Sequence, residues 1–332
     1  MGCPHHCIFC NQRSISGKTA KVLSPGMIRA EVNRFLQYGK RPYSSVQISF
    51  YGGTFLGLPK QMIHTLLESV DSFVNRGAVE SLRFSTRPDT VTRRNLEIVS
   101  NFSVSTVELG VQSMDNRVLE AAGRGHLASD VVHAAALLKE RGYAVGLQMM
   151  VGLPEDSDRG ALETAARIAA LKPDFVRIYP TVVLKGSRLA EHFEDGRYAP
   201  MQLSACVSLV KQLYLHFKRQ GIPVIRMGLQ ASDGLTPSTE LVAGPYHPAF
   251  GHLVLSEIVY DAIAAELDKT FHRKDGVVIV CHPAMLSRVQ GLKRENMLKV
   301  KNRFKLNAIQ LVQDPNLSMD RLLVNDQWVT LA

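Results

Sequence analysis

The sequence predicts an α/β protein built on a parallel sheet, either an open doubly wound sheet or a barrel. Two observations carry the prediction. Between residues 46 and 181, short runs rich in β-branched and aromatic residues alternate with stretches of helical apolar spacing, the sign of strand–helix–strand units. Every strand candidate also runs out into glycine or polar turn residues on its carboxyl side, where parallel α/β folds place their ligands. A chain of 332 residues, 45% hydrophobic and 21% charged, can bury the core such a sheet needs.

Taken in order, residues 14–21 are polar, contain Gly17 and read as a loop. Met27, Ile28, Val32, Phe35 and Leu36 repeat at helical spacing and predict a helix over 25–38. Strands follow at 46–51, 82–86, 104–111, 144–150 and 175–181. Helices are expected between them at 58–75, 92–100, 116–122, 129–141 and 159–171. A long helix at 201–220 leads to a short strand at 223–227. Residues 231–250 contain Gly234, Pro237, Gly244, Pro245 and Pro248, a spacing that breaks regular structure and predicts a long loop. A helix at 252–267, a strand at 277–281, a helix at 295–301 and a strand at 308–312 complete a small α/β appendage. The expected division is a sheet-bearing part over 1–230 and an extension over 231–332.

The chemistry concentrates at the start. Cys3, Cys7 and Cys10 form a C-x3-C-x2-C run and are three of the chain's five cysteines. Thiolates this close repel unless a cation lies between them. Four cysteines commonly hold an iron–sulfur cluster. Three without a near fourth suggest a 4Fe–4S cluster with one iron open to a ligand. The alternative is structural zinc with His5 or His6 as fourth donor, although zinc sites usually draw ligands from two separated knuckles. Cys206 on an apolar helical stripe and Cys281 at a strand end read as buried structural thiols.

Other candidates lie at strand ends. Gly52 and Gly53 fit either a plain turn or a close backbone approach to a charged ligand. Strand alternation puts Glu108 and Gln112 on one side, facing a ligand or a polar partner. Arg87 and Arg124 could grip a carboxylate or phosphate bidentately, or form surface ion pairs. Tyr246, His247 and Phe250 could stack on a ring or pin their loop.

A net charge of +9 favours anionic partners, nucleic acid among them. The densest basic stretch is Lys293, Arg294, Lys299, Lys301, Arg303 and Lys305, either a solvated helix face or a set of phosphate contacts. No apolar run approaches membrane-span length. The cysteine run begins at residue 3 with no leader ahead of it, and five cysteines do not resemble a secreted disulfide framework, so the cytoplasm is the expected compartment.

The cysteine run with Phe9 before its third cysteine resembles the radical S-adenosylmethionine superfamily. The resemblance continues through YGGTF at 51–55, STRPD at 85–89, ELGVQS at 108–113, RGH at 124–126, MMVGLP at 149–154 and IYPT at 178–181. Together these are similar to the radical domain of the Elongator catalytic subunit and its bacterial relatives, over about residues 1–200. The resemblance implies a partial (β/α)6 barrel in which Cys3, Cys7 and Cys10 bind three irons and S-adenosylmethionine chelates the fourth. Phe9 would meet the adenine, and Gly52, Gly53 and Thr54 the methionine amino group. Glu108 and Gln112 would line the cofactor or substrate pocket, with Tyr179 a further catalytic candidate. Gly152 and Pro154 would shape the adenine-side wall. A tRNA substrate and an electron donor such as flavodoxin or ferredoxin are expected. The alternatives are a metabolite or tetrapyrrole substrate and, further off, a zinc-binding nucleic-acid-binding protein that is not an enzyme. Family members have a strand before the cysteine loop. Here only Met1 and Gly2 precede it, so the barrel is expected to lack that strand or to start upstream. The region after about 230 matches no acetyltransferase domain.

Overall fold

The structure, a computed structural model, describes residues 3, 5–11, 24–38, 46–230, 240–270 and 276–331. After the cysteine loop come α1 (Pro25–Gln37), β1 (Gln47–Phe50), α2 (Lys60–Asn75), β2 (Ser81–Thr86), α3 (Arg93–Val99) and β3 (Val104–Gln112). Then follow α4 (Asn116–Ala121), α5 (Ala128–Glu140), β4 (Ala144–Val151), α6 (Asp158–Ala170), β5 (Phe175–Pro180) and β6 (Val183–Leu184). The rest comprises α7 (Arg188–Glu194), α8 (Leu203–Arg219), β7 (Val224–Met227), β8 (Leu241–Ala243) and α9 (Phe250–Thr270). Last come β9 (Val277–Cys281), α10 (Leu286–Gln290), α11 (Glu295–Phe304), β10 (Ile309–Gln313), β11 (Arg321–Val324) and β12 (Gln327–Thr330). Helix starts are set by short polar side chains. Ser24, Thr92, Asp115, Ser157 and Ser187 each accept a hydrogen bond from a backbone N–H in the first turn, satisfying donors the helix cannot.

Six parallel strands in the order β1-β2-β3-β4-β5-β7 curl into a half-barrel with helices on its convex face. The barrel expectation therefore holds, with β7 taking the sixth place at the edge opposite β1. Alternation explains the two faces. Leu82 and Phe84, Val107 and Leu109, Val145 and Leu147, and Val176 and Ile178 enter the main core beneath the helices. Intervening positions carry Arg83, Glu108, Gln148, Arg177 and Tyr179. A parallel sheet buried on both faces would read as continuous apolar runs. The concave face of this one is polar.

Helix α9 belongs to two cores. Phe250, Val254 and Ile258 pack into the main one, while Val259, Ile263 and Leu267 pack into a second one beneath the sheet β10-β9-β11-β12. Two expectations change here. Residues 241–243 are not loop: β8 pairs antiparallel with β6. The appendage also has two further strands, β11 and β12, joined at Asn325 and Asp326 with φ of 47° and 66°, the two left-handed positions of a tight hairpin. The polar loop expected at 14–21, and 231–239 of the expected long loop, lie outside the described residues.

Candidate functional site

The cysteine loop sits at the carboxyl ends of the strands, and backbone groups fix it there. Ile8 N–H donates to the Ala122 carbonyl at 3.1 Å, and the Ile8 carbonyl accepts from Leu189 N–H at 2.8 Å. Asn11 Nδ2 donates to the Lys185 carbonyl at 2.7 Å. Ile8 is buried against Val183, Leu189 and Ala190, worth about 2 kcal/mol for a side chain of this size. Phe9 packs both there and against Val118, Ala122 and Leu153. Cys10 N–H donates to the Cys7 carbonyl at 3.1 Å and closes the turn.

Two arginines meet the loop. Arg124 Nη1 donates to Cys7 Sγ at 3.3 Å, and Arg87 Nη1 lies 3.8 Å from the same sulfur. Arg87 is nearly fully buried and grips Asp89 through Nε at 2.9 Å and Nη2 at 3.3 Å. Its Nη2 also donates to the Arg124 carbonyl, while Arg124 Nη2 donates to the Gly110 carbonyl. Asp89 in turn faces His5 Nε2 at 3.5 Å. Gly125 leaves the room that His5 occupies: a Cβ there would lie 2.4 Å from the His5 ring, and φ is +64°. Neither arginine is the surface ion pair considered from sequence. Burial lowers the pKa of Arg124, with the Cys7 sulfur acting the other way. It also pushes His126, flanked by both arginines, down to about 3, so this imidazole is neutral at physiological pH.

The remaining candidates divide between this corner and the concave floor. Gln112 lies at the corner, where a register irregularity in β3 interrupts the alternation assumed between it and Glu108. Its φ is +69°, and its amide sits beside Gly110 and the Arg124 guanidinium. Gly52 and Gly53 have φ of +105° and +130°, a bend that L side chains rarely adopt. Thr54 is buried behind them. Its hydroxyl meets Thr86 Oγ1 at 2.7 Å and accepts from Arg87 N–H at 3.0 Å, tying the end of β1 to that of β2. The Gly152 carbonyl accepts from the Tyr198 hydroxyl at 2.7 Å, and Pro154 follows in the same turn.

Glu108 belongs to the floor. It is fully buried, and both oxygens are in use. Oε1 accepts from the Tyr51 hydroxyl at 2.6 Å, from Arg177 Nη2 at 3.0 Å and from Arg83 Nη1 at 3.3 Å. Oε2 accepts from Gln148 Nε2 at 2.7 Å and lies 2.8 Å from Arg177 Nε. Gly146 leaves space first for the Phe175 ring, which a Cβ there would meet at 2.3 Å, and then for the carboxylate arm, with Glu108 Cγ at 3.1 Å. Tyr179 adjoins Arg177, and burial raises its pKa. Sequence reading missed Arg83, Gln148, Arg177 and Arg226. The available signal was polar residues at alternate positions of strands otherwise reading as fully buried.

The donor set of the cysteine loop bears on whether an iron–sulfur centre and its cofactor fit there. Cys7 and Cys10 are partly buried and Cys3 is exposed. Among the described residues no three metal-binding side chains converge on a single point, so the thiols share one loop without being drawn together. Beside them Gln112 Oε1 and Arg124 Nε are buried without a hydrogen-bond partner. Soft thiolate donors next to orphaned polar atoms fit a cluster with a polar ligand on it.

A parallel half-barrel with a three-cysteine loop across its strand ends defines a class of enzyme. Residues 1–168 match the Radical SAM superfamily and residues 173–259 its C-terminal domain family; the chain belongs to the radical SAM superfamily. Enzymes of that superfamily generally use a 4Fe–4S cluster and S-adenosylmethionine. The chain is 32% identical over 227 residues to an uncharacterised protein of Methanocaldococcus jannaschii, covering 65% of this chain and 69% of that one. It is 25% identical over 285 residues to a tRNA uridine(34) acetyltransferase of Dehalococcoides mccartyi, covering 74% and 62%. Elongator complex protein 3 of Danio rerio is 29% identical over 205 residues, 56% of this chain but only 37% of that protein. The chain thus spans less than two thirds of the length of these last two relatives. In structure it resembles the archaeal Elp3 of Methanocaldococcus infernus, with a TM-score of 0.58 at 23% identity over 75% of this chain and 62% of that one; at that identity the likeness shows the fold. No helix of the described residues is long and apolar enough to cross a membrane.

Proposed function

We propose that this enzyme binds a 4Fe–4S cluster through Cys3, Cys7 and Cys10, cleaves S-adenosylmethionine beside it and modifies tRNA. The observation carrying this reading is the seat of the cysteine loop, bound to the turn after α4, to the start of α7 and to two buried guanidiniums at the ligand-binding face. A cluster held by Cys3, Cys7 and Cys10 would supply the single electron for reductive cleavage of S-adenosylmethionine, with methionine as the other product, and so would make radical chemistry available to the substrate. The side chains orient the reactants and exclude water. Phe9 lies where the adenine would meet the loop backbone. The bend at Gly52 and Gly53 brings backbone groups toward the methionine amino end, with Thr54 as its buried support. Gln112 and Arg124 offer their orphaned atoms to the polar end of the cofactor, and Gly152 and Pro154 form the adenine-side wall. Glu108 acts indirectly, by holding the floor arginines.

Support for tRNA comes from the activity for which the Dehalococcoides relative is named, the net charge of +9 and the exposed face of α11. Within the basic stretch Lys299 pairs with Glu295 at 3.1 Å and Arg303 with Asp268 at 2.7 Å. Lys293, Arg294, Lys301 and Lys305 remain exposed. The electron would come from a small redox protein of the flavodoxin or ferredoxin kind.

Anaerobic reconstitution tests the first part. Replacing Cys3, Cys7 and Cys10 together by alanine should abolish both bound iron and 5′-deoxyadenosine formation. Retention of both, or stoichiometric zinc in place of iron, sinks the reading. The tRNA part has its own readout. The K301Q/K305Q variant should reduce the salt slope of tRNA binding by about one to two, near one for each phosphate no longer neutralised. An unchanged slope removes that face from the interaction and leaves the cluster chemistry untouched.

A further inference from the structure

The concave floor holds more positive charge than its own carboxylate can balance. Arg83 on β2, Arg177 on β5 and Arg226 on β7 occupy the polar face, and Glu108 faces the first two. Arg177 and Arg226 are register partners on neighbouring parallel strands. Their situations differ. Arg177 is 15% exposed and held by Glu108 and by the Tyr51 hydroxyl at 3.1 Å. Arg226 makes no hydrogen bond or ion pair among the described residues, and its Nε is buried without a partner. Its charge reaches Tyr179, the hydroxyl that adjoins Arg177. A partly shielded guanidinium without a counter-charge is costly. Here it stands next to a second guanidinium with a fixed orientation and beside a phenol that can donate.

We propose that Arg226, Arg177 and Tyr179 form a subsite for an oxyanion, phosphate or carboxylate, carried by the substrate. A guanidinium fork binds such a group through two parallel N–H donors. Arg177 is pre-oriented by Glu108 and Tyr51, so its ordering cost is met before the ligand arrives. Arg226, at the edge strand, closes on the anion. The floor thus gains an anion role of its own, beside the one proposed above for Arg124 at the cysteine corner. This inference rests on the substrate side of the proposed function. It names the chemistry the substrate must present one layer below the cofactor face.

The test needs neither iron nor S-adenosylmethionine, so its failure is separate from failure of the radical reading. Inorganic phosphate binding to the full chain is measured by calorimetry at fixed ionic strength. The wild type is compared with R226Q, R226K and the control R159Q, whose arginine is exposed on α6 and paired with Glu163 at 2.8 Å. We expect R226Q to weaken phosphate binding about tenfold or more, R226K to fall between it and the wild type, and R159Q to match the wild type. Circular dichroism and the urea midpoint show that each variant is folded. Equal phosphate affinity in wild type and R226Q overturns the proposal, as does an equal loss in R159Q. Competition then distinguishes sources. Displacement of phosphate by a short stem-loop RNA but not by citrate assigns the anion to a nucleic-acid backbone. Displacement by citrate alone assigns it to a small carboxylate.

Discussion

Two arginines of the same half-barrel, Arg87 at the cysteine corner and Arg226 on the floor, are built in opposite ways. At the cysteine corner Arg87 commits its side-chain nitrogens to Asp89, to the Arg124 carbonyl and to Cys7. On the floor Arg83 and Arg177 share the Glu108 carboxylate, and Arg226 at the edge has no partner among the described residues. Saturated guanidiniums position their surroundings; an unsaturated one is ready to receive a ligand. Residue type alone does not separate the two cases. The number of acceptors around each head group does.

Glu108 breaks this comparison at its most sensitive point. The E108Q variant leaves Arg83 and Arg177 facing a neutral amide in a site where the carboxylate has no exposure. Removing one partner of a buried charge pair costs about 3 kcal/mol or more. A urea midpoint should fall accordingly, and the double variant E108Q/R83M should recover part of the loss. R226Q removes an unpaired charge from a partly exposed side chain and should leave stability unchanged or slightly higher, by less than about 0.5 kcal/mol. If E108Q is as mild as R226Q, the floor is not organised by its carboxylate.

Arg87 gives the next largest effect. R87M strands Asp89, which keeps 22% of its side-chain surface in solvent, so the cost is discounted to about 2 kcal/mol. The sharper readout is local. Loss of the Arg87 donors unpins Asp89 and the Arg124 carbonyl, and the reaction of Cys7 with a thiol reagent should speed up more than global stability predicts. R87K keeps the charge without the fork and should fall between R87M and the wild type. An unchanged Cys7 rate would show that the backbone anchors at Ile8 hold the loop alone.

How much of this the sequence disclosed depends on whether a feature is local. The cysteine run, the strand-end glycines and the strand–helix alternation are properties of neighbouring residues, and they were legible. The seat of the loop was not. Ala122, Lys185 and Leu189 take part through backbone atoms, which no side-chain pattern encodes. Arg177 and Arg226 read singly as isolated cations in apolar strands; only the pairing of β5 with β7 makes them neighbours. The β11–β12 hairpin was legible in principle, since Asn325 and Asp326 are residues that tolerate the left-handed turn. The β6–β8 pair was not, because proline and glycine around 244–248 outweigh three apolar residues.

The effect least visible in the wild type lies between the corner and the turn before α6, in the response to pH. His126 is held near 3, chiefly by burial and then by Arg124 and Arg87. The unfolded chain takes up a proton near pH 6.5, where the native state does not, so stability falls as pH drops from 6.5 toward 3, by about 1.4 kcal/mol per unit. Asp156 works in the opposite sense. Burial raises it to about 6, against the hydrogen bond it accepts from Ser157 N–H. The native state then holds a proton that the unfolded chain has released near 3.8, so stability falls as pH rises from 3.8 to 6. Between about pH 4 and 6 the two slopes oppose and the wild-type profile should be nearly flat. H126Q should expose the Asp156 slope, with stability falling as pH rises through that window. D156N should expose the His126 slope, with stability falling as pH drops. Urea midpoints of the iron-free protein at half-unit pH steps provide the measurement. Parallel profiles for both variants would mean that neither group keeps its buried environment.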